Sequence, residues 1–167
     1  MTRVQVAGAI AALVLAAASL GASILRSPDV PFLLGDANAR WIGNDRPVAL
    51  ETHLAGRQFA PRAEFTRSFR VERVPKTATL AVEALGEVQV AVNGRAITLP
   101  AEDRACFKRI CSAAVAAFIG PGENTIRAQV RNPTGPPLLQ LHLRGDGLEV
   151  ATDERWQVAL DEENAES

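Results

Sequence analysis

The chain has no tyrosine, two tryptophans and six phenylalanines among its 167 residues. So few aromatic rings force a core to be built from valine, leucine, isoleucine and alanine. Histidine and cysteine are equally scarce, at two each. A zinc site needs three or four convergent His, Cys or carboxylate ligands. Neither pair stands in a ligand motif, so no metal and no other cofactor is expected. The Gly-x-Ser-x-Gly spacing of a nucleophile elbow is absent, as is a glycine loop that cradles phosphate. Glycoside hydrolysis requires two facing carboxylates. Glu102 and Asp103 are instead adjacent in a turn-like stretch, and the other acids are dispersed, which also argues against a calcium cage. Charge of one sign is lacking too: 18 Lys and Arg stand against 19 Asp and Glu, interleaved along the chain. Nothing there resembles the basic footprint of a nucleic-acid binder. These absences leave no expectation of enzymatic activity and none of a nucleic-acid partner.

One long apolar run is present. Residues 4–25 carry no charge and are flanked by Arg3 and Arg26. At about 1.5 Å per helical residue, the run just crosses a hydrocarbon layer of roughly 30 Å. Small residues such as Ala22 and Ser23 offer a signal-peptide cleavage site. The run nevertheless exceeds the usual apolar core of a signal peptide, about 7–15 residues. That favours an uncleaved signal anchor, single-pass in the inner (cytoplasmic) membrane. Under either reading the remaining chain lies on the periplasmic, extracytoplasmic side.

Beyond a linker at residues 27–40 the pattern changes to period 2. Its clearest stretch is residues 87–99. Val88, Val90 and Val92 alternate with Glu87, Gln89 and Ala91, as in a half-buried strand. Asn93-Gly94 follows, and both residues tolerate the positive φ of a type I′ turn. Ala96-Ile97-Thr98-Leu99 starts the return strand. Upstream, Ala63, Phe65, Phe69 and Val71 share one parity, with Arg67 the exception. Ala78, Leu80, Val82 and Ala84 mark the next strand. Short turns between these three strands predict an antiparallel meander. Residues 39–42 read as a first strand and residues 48–51 as an edge strand. Residues 112–119 are alanine-rich and read as one or two helical turns. Ile126, Ala128 and Val130 define a later strand, and Leu139, Leu141 and Leu143 another. Residues 148–150 and 156–160 close the pattern, and 161–167 read as an acidic disordered tail. Many short strands at such spacings indicate a sandwich or barrel.

Several of these features, in their order, resemble galactose-binding-like jelly-roll domains. They are the Val74-Pro75-Lys76 turn between strands, Val90-Ala91-Val92-Asn93-Gly94-Arg95, Gly120-Pro121-Gly122-Glu123-Asn124 leading into a strand, and the closing Thr152-Asp153-Glu154-Arg155-Trp156. Such domains occur as accessory sugar-binding modules of glycoside hydrolases. They also occur as extracytoplasmic domains of bacterial membrane proteins of the glycosyltransferase type. The resemblance spans residues 41–160. It implies an all-β, antiparallel jelly-roll β-sandwich behind one N-terminal transmembrane helix. It also implies a non-catalytic carbohydrate-binding module serving cell-envelope glycan synthesis or modification. The alternative is a structural module that docks on a membrane-protein partner without binding sugar.

Candidate ligand residues follow from this fold. Trp41 borders a loop-rich segment and offers a face for stacking on a sugar ring, whereas Trp156 is expected in the core. Arg104 and Asn132 lie in or beside loops that gather at one end of such a sandwich. His142 falls on the polar parity of its strand and is expected to be exposed. Cys106 and Cys111 leave two outcomes open. In a continuous strand their Cα atoms would stand about 16 Å apart, whereas a disulfide requires about 4.4–6.8 Å. The bond forms only if residues 107–110 turn back. Apolar Phe107 and Ile110 around charged Lys108 and Arg109 suit a bulged strand as well as a tight turn.

Overall fold

The computed structural model describes residues 3–27, 33, 38–44, 62–99, 106–133 and 135–161. It divides into two compact units, residues 1–34 and residues 35–167. In the first, α1 (Arg3–Arg26) is apolar on all sides, and its large side chains stand exposed. The segment Gly8–Arg26 is long and apolar enough to cross a membrane, a property that signal sequences share.

The second unit is an antiparallel β-sandwich. Its strands are β1 (Arg62–Val71), β2 (Ala78–Leu85), β3 (Glu87–Val92), β4 (Arg95–Ile97), β5 (Cys111–Ala114), β6 (Gly122–Arg131), β7 (Leu138–Gly145), β8 (Leu148–Ala151) and β9 (Gln157–Asp161). They form a five-stranded sheet in the order β4-β3-β6-β1-β9 and a four-stranded sheet in the order β5-β2-β7-β8. The alternating apolar residues face inward from both sheets. Phe65, Leu80, Val82, Val92, Ile126, Val130, Leu139, Leu141 and Leu143 are fully buried between them. Burying each such side chain is worth roughly 1.5–3 kcal/mol, so aliphatic residues make up for the few rings. Trp156 is buried and donates its indole N–H to the Ala151 carbonyl at 2.9 Å.

Pairing differs from the expected meander. β1 pairs with β6 and β9, β2 with β5 and β7, and β3 with β4 and β6. Strands consecutive in sequence therefore cross from sheet to sheet, in the jelly-roll manner. The exceptions among the described residues are the hairpins β3–β4 and β7–β8. Alternation fixes which face of a strand is buried, but a short connection serves an arch across a sandwich as well as a hairpin. The Asn93-Gly94 turn is as expected, with φ of 52° and 75°. Asn124, fully buried, ties it down: Asn93 Nδ2 donates to Asn124 Oδ1 at 2.7 Å, and Thr125 N donates to Asn93 Oδ1 at 2.9 Å.

The alanine-rich stretch also departs from expectation. Its first part is strand β5, whose pairing with β2 overrides alanine's helix propensity, and only Ala116–Phe118 forms a 3-10 turn. Residues 107–110 turn back with Lys108 at φ 54°, and Cys106 and Cys111 are joined in a disulfide with Cα atoms 5.3 Å apart. The expected edge strand at 48–51 and the acidic residues 162–167 lie outside the described residues.

Candidate ligand-binding site

The outward side chains of the five-stranded sheet are almost all polar. Register sets them in rows. Arg62, Arg131 and Glu87 form one row, and Glu64, Gln129 and Gln89 form the next. Thr66, Arg127 and Ala91 make a third. At the end of the sheet where β1 begins and β6 ends, Arg62, Glu87, Gln89, Gln129 and Arg131 line a pocket of about 180 Å³. Gly86 backs this end of the sheet: its φ of 127° brings its Cα against the Arg131 carbonyl. All five lining side chains are carried on strands, which hold them more rigidly than loops would.

The charges in this face are unevenly paired. Glu64 accepts from Gln129 Nε2 at 3.2 Å and lies 3.3 Å from Arg127 Nε. Arg131 Nη1 lies 3.9 Å from Glu87 Oε2, and both side chains are about half exposed, at 47% and 53%. Such an exposed ion pair contributes between zero and about 1 kcal/mol. Among the described residues no three His, Cys, Asp or Glu stand close enough to hold a metal ion.

Of the residues singled out from the sequence, the described ones, Trp41, Asn132 and His142, are not among the five that line this pocket. Trp41 is half-buried beside Ile42, whose backbone pairs with Leu139. Asn132 is buried and donates to the Pro136 carbonyl at 2.9 Å, closing the β6–β7 connection. Arg104 lies outside the described residues. His142 is not exposed as expected: it is buried in β7 of the other sheet, with 6% of its surface accessible. The reason is tertiary. The segment Ala39–Ile42 is strapped along β7 and β8, with Gln140 Nε2 donating to the Ala39 carbonyl and Thr152 Oγ1 to the Arg40 carbonyl. Glu149 of β8 covers His142 from the other side, with Oε1 3.0 Å from Nε2, and Arg144 Nε donates to the same Nε2 at 3.1 Å. Nε2 accepts from Arg144 only when unprotonated and donates to Glu149 only when protonated, so the two contacts belong to different tautomers. This cluster braces the β7–β8 hairpin.

Sequence reasoning missed the pocket. Its five residues come from β1, β3 and β6, which only the register brings side by side.

No protein-family model and no curated protein matches the chain. Solved structures do share its fold. The native α-L-rhamnosidase of Aspergillus terreus superposes with a TM-score of 0.58 at 18% identity, over 74% of this chain and 17% of that one. The GH78 family rhamnosidase of Bacillus sp. GL1 gives 0.55 at 22% identity, over 76% and 14%. The lectin of Pleurotus ostreatus, in complex with GalNAc, gives 0.51 at 19%, over 77% and 36%. This chain thus spans less than half of each, and at such identities the likeness is one of fold.

Proposed function

We propose that this chain is a non-catalytic carbohydrate-binding module, held at a membrane by α1. The observation that carries the proposal is the pocket on the outer face of the five-stranded sheet. Its lining offers carboxamides that donate and accept, guanidinium groups that only donate, and a carboxylate that only accepts. That mixture suits neighbouring hydroxyls, each of which is donor and acceptor at once. At about 180 Å³ the pocket is smaller than the roughly 300–1,000 Å³ of drug-sized sites, a scale fit for one sugar ring. The Pleurotus lectin, of the same fold, was solved with a sugar, GalNAc. A protein-docking module would instead present a contiguous apolar patch. Among the described residues of the sandwich, the large exposed hydrophobics are Val74 and Ile110, on different connections.

The apolar helix and the Cys106–Cys111 disulfide together support a place outside the cytoplasm, since disulfides persist in oxidising compartments. We place α1 in the cytoplasmic membrane, with the sandwich on the periplasmic side in the service of cell-envelope glycan synthesis or modification. The test is a glycan array probed with the full chain in detergent. Binding to a defined subset of glycans is expected, and the Gln89→Ala/Gln129→Ala double variant should lose it while keeping its circular dichroism spectrum. Folded protein that binds no glycan above background would overturn the proposal.

A further inference from the structure

We infer that Asn93 is a site of spontaneous deamidation, closed while the β3–β4 turn is folded and self-sealing once the turn has opened. Asn93-Gly94 is the one Asn-Gly pair of the chain. Asparagine is a chemically labile residue, and a following glycine has no Cβ to shield its backbone amide. In a flexible chain the Gly94 nitrogen attacks Asn93 Cγ. A new C–N bond forms, and Nδ2 leaves as ammonia with the proton that Gly94 gives up. Water then opens the succinimide at one of its two carbonyls, giving aspartate or isoaspartate. Asn93 and Gly94 are both exposed, so water reaches them.

The folded turn forbids the first step. Asn93 and Gly94, with φ of 52° and 75°, are the central pair of a type I′ turn. Ring closure needs the Gly94 nitrogen eclipsed with Asn93 Cβ, at ψ of about −120° for an L-residue, whereas a left-handed residue has ψ of about +30 to +60°. The Cα–C bond would have to rotate by about 150°, which dissolves the turn. The carboxamide is held as well. Nδ2 donates to the Phe118 carbonyl at 2.8 Å and to Asn124 Oδ1 at 2.7 Å, while Oδ1 accepts from Thr125 N at 2.9 Å. Asn124 is fully buried and is itself fixed by Gly120 and Gly122. Attack therefore waits for a local opening of the turn, an event that costs less than global unfolding.

The product does not fit back. An ionised aspartate has no donor, so at position 93 it sets oxygen against the Phe118 carbonyl and Asn124 Oδ1, both acceptors. Isoaspartate adds a backbone carbon and loses the type I′ geometry altogether. Chemistry that follows opening thus makes the opening irreversible.

The full chain is incubated in mildly alkaline buffer, folded in detergent or unfolded in guanidinium chloride. Conversion of Asn93 to aspartate and isoaspartate is followed by mass mapping of the peptide that carries it. The folded chain should react at least about tenfold more slowly than the unfolded one, the low end of what three hydrogen bonds hold. Chains modified in the unfolded state and then returned to detergent should melt at a lower temperature than unmodified chains taken through the same cycle, read by tryptophan fluorescence. Asn93→Asp, made directly, should also melt below the unaltered protein. Equal rates in the folded and unfolded chains overturn the inference that the turn closes the site. Melting of Asn93→Asp together with the unaltered protein overturns it too, because the product would then fit the turn.

Discussion

Gly86→Ala should be one of the most damaging single-methyl changes in the sandwich, and its cost can be separated into parts. Gly86 has φ 127°, and a Cβ built there overlaps the Arg131 carbonyl oxygen, 2.9 Å from its carbon and 3.0 Å from Asn132 Cβ. Those atoms are backbone and a buried side chain, so they cannot swing aside. Gly94 is the natural control: its φ is 75°, and a Cβ there meets nothing within 4 Å. Gly94→Ala therefore carries only the conformational cost of a left-handed residue, about 1–2 kcal/mol. Gly86→Ala carries a strain term of about 1–3 kcal/mol and a packing term of similar size, because the neighbouring chain must shift. Against a typical total stability of about 5–15 kcal/mol, that is a large fraction. Both tryptophans, Trp41 and Trp156, belong to the sandwich and none to α1, so their fluorescence reports its melting in the full chain. A loss of 1 kcal/mol lowers the midpoint of a domain this size by roughly 3–6 °C. Gly94→Ala, at about 1–2 kcal/mol, should fall by roughly 3–12 °C, and Gly86→Ala by about twice as much or more. Because the displaced carbonyl belongs to Arg131, Gly86→Ala should also weaken ligand binding where Gly94→Ala does not. Equal melting shifts for the two variants would refute the argument that close approach, rather than backbone conformation alone, demands glycine at position 86.

Asp153 gives a pH dependence with a definite sign. Hydrogen bonds from the Arg155 side chain, then its backbone N–H and the charge of Arg67, hold the Asp153 carboxyl below its usual range against the opposing effect of burial. A folded-state pKa below the unfolded value adds stability at pH above the unfolded value, about 3.9, and that stability is lost as pH falls through the folded pKa. The melting point of the unaltered protein should therefore drop on acidification below about pH 4 more steeply than that of Asp153→Asn. Identical slopes would show that the turn before Trp156 owes nothing to this carboxylate. For the Cys106–Cys111 bond, titration of free thiols in the denatured, unreduced protein should find none, and a count of two would show the segment to be unbridged.

How far the fold was legible depends on whether the information is local. The β3–β4 hairpin was, because Asn93-Gly94 states its turn type and the valines state its face. The inward sets of β1, β2, β6 and β7 were legible for the same reason. Pairing was not: the link from β1 to β2 crosses the sandwich, and nothing in residues 72–77 distinguishes an arch from a hairpin. The disulfide could not be decided from spacing, because it depends on Lys108 taking a positive φ that lysine seldom adopts. The alanines of β5 misled, because their strand pairing with β2 outweighs an intrinsic preference of a few tenths of a kcal/mol per residue, of order ~0.5.

The candidate site tests how much polar alternation can say. The outward residues of β7, Gln140 and His142, have the same sequence signature as Gln129 and Arg131 of β6. Yet the first pair is buried under the strap of residues 39–42, and the second lines an open pocket. Among the described residues the difference lies in what crosses over each sheet, which no strand encodes for itself. One clue was nevertheless present. β1 and β6 are each ten residues long, and their outward sets are polar from end to end: Arg62, Glu64, Thr66, Ser68 and Arg70, facing Arg131, Gln129, Arg127, Thr125 and Glu123. A chain that covered this face would be expected to place apolar residues somewhere along it, as the strap does with Ala39 over β7. Two long strands kept polar throughout instead suit a face in contact with water, and a ligand rich in hydroxyls is one that such a face would bind without first burying an apolar surface.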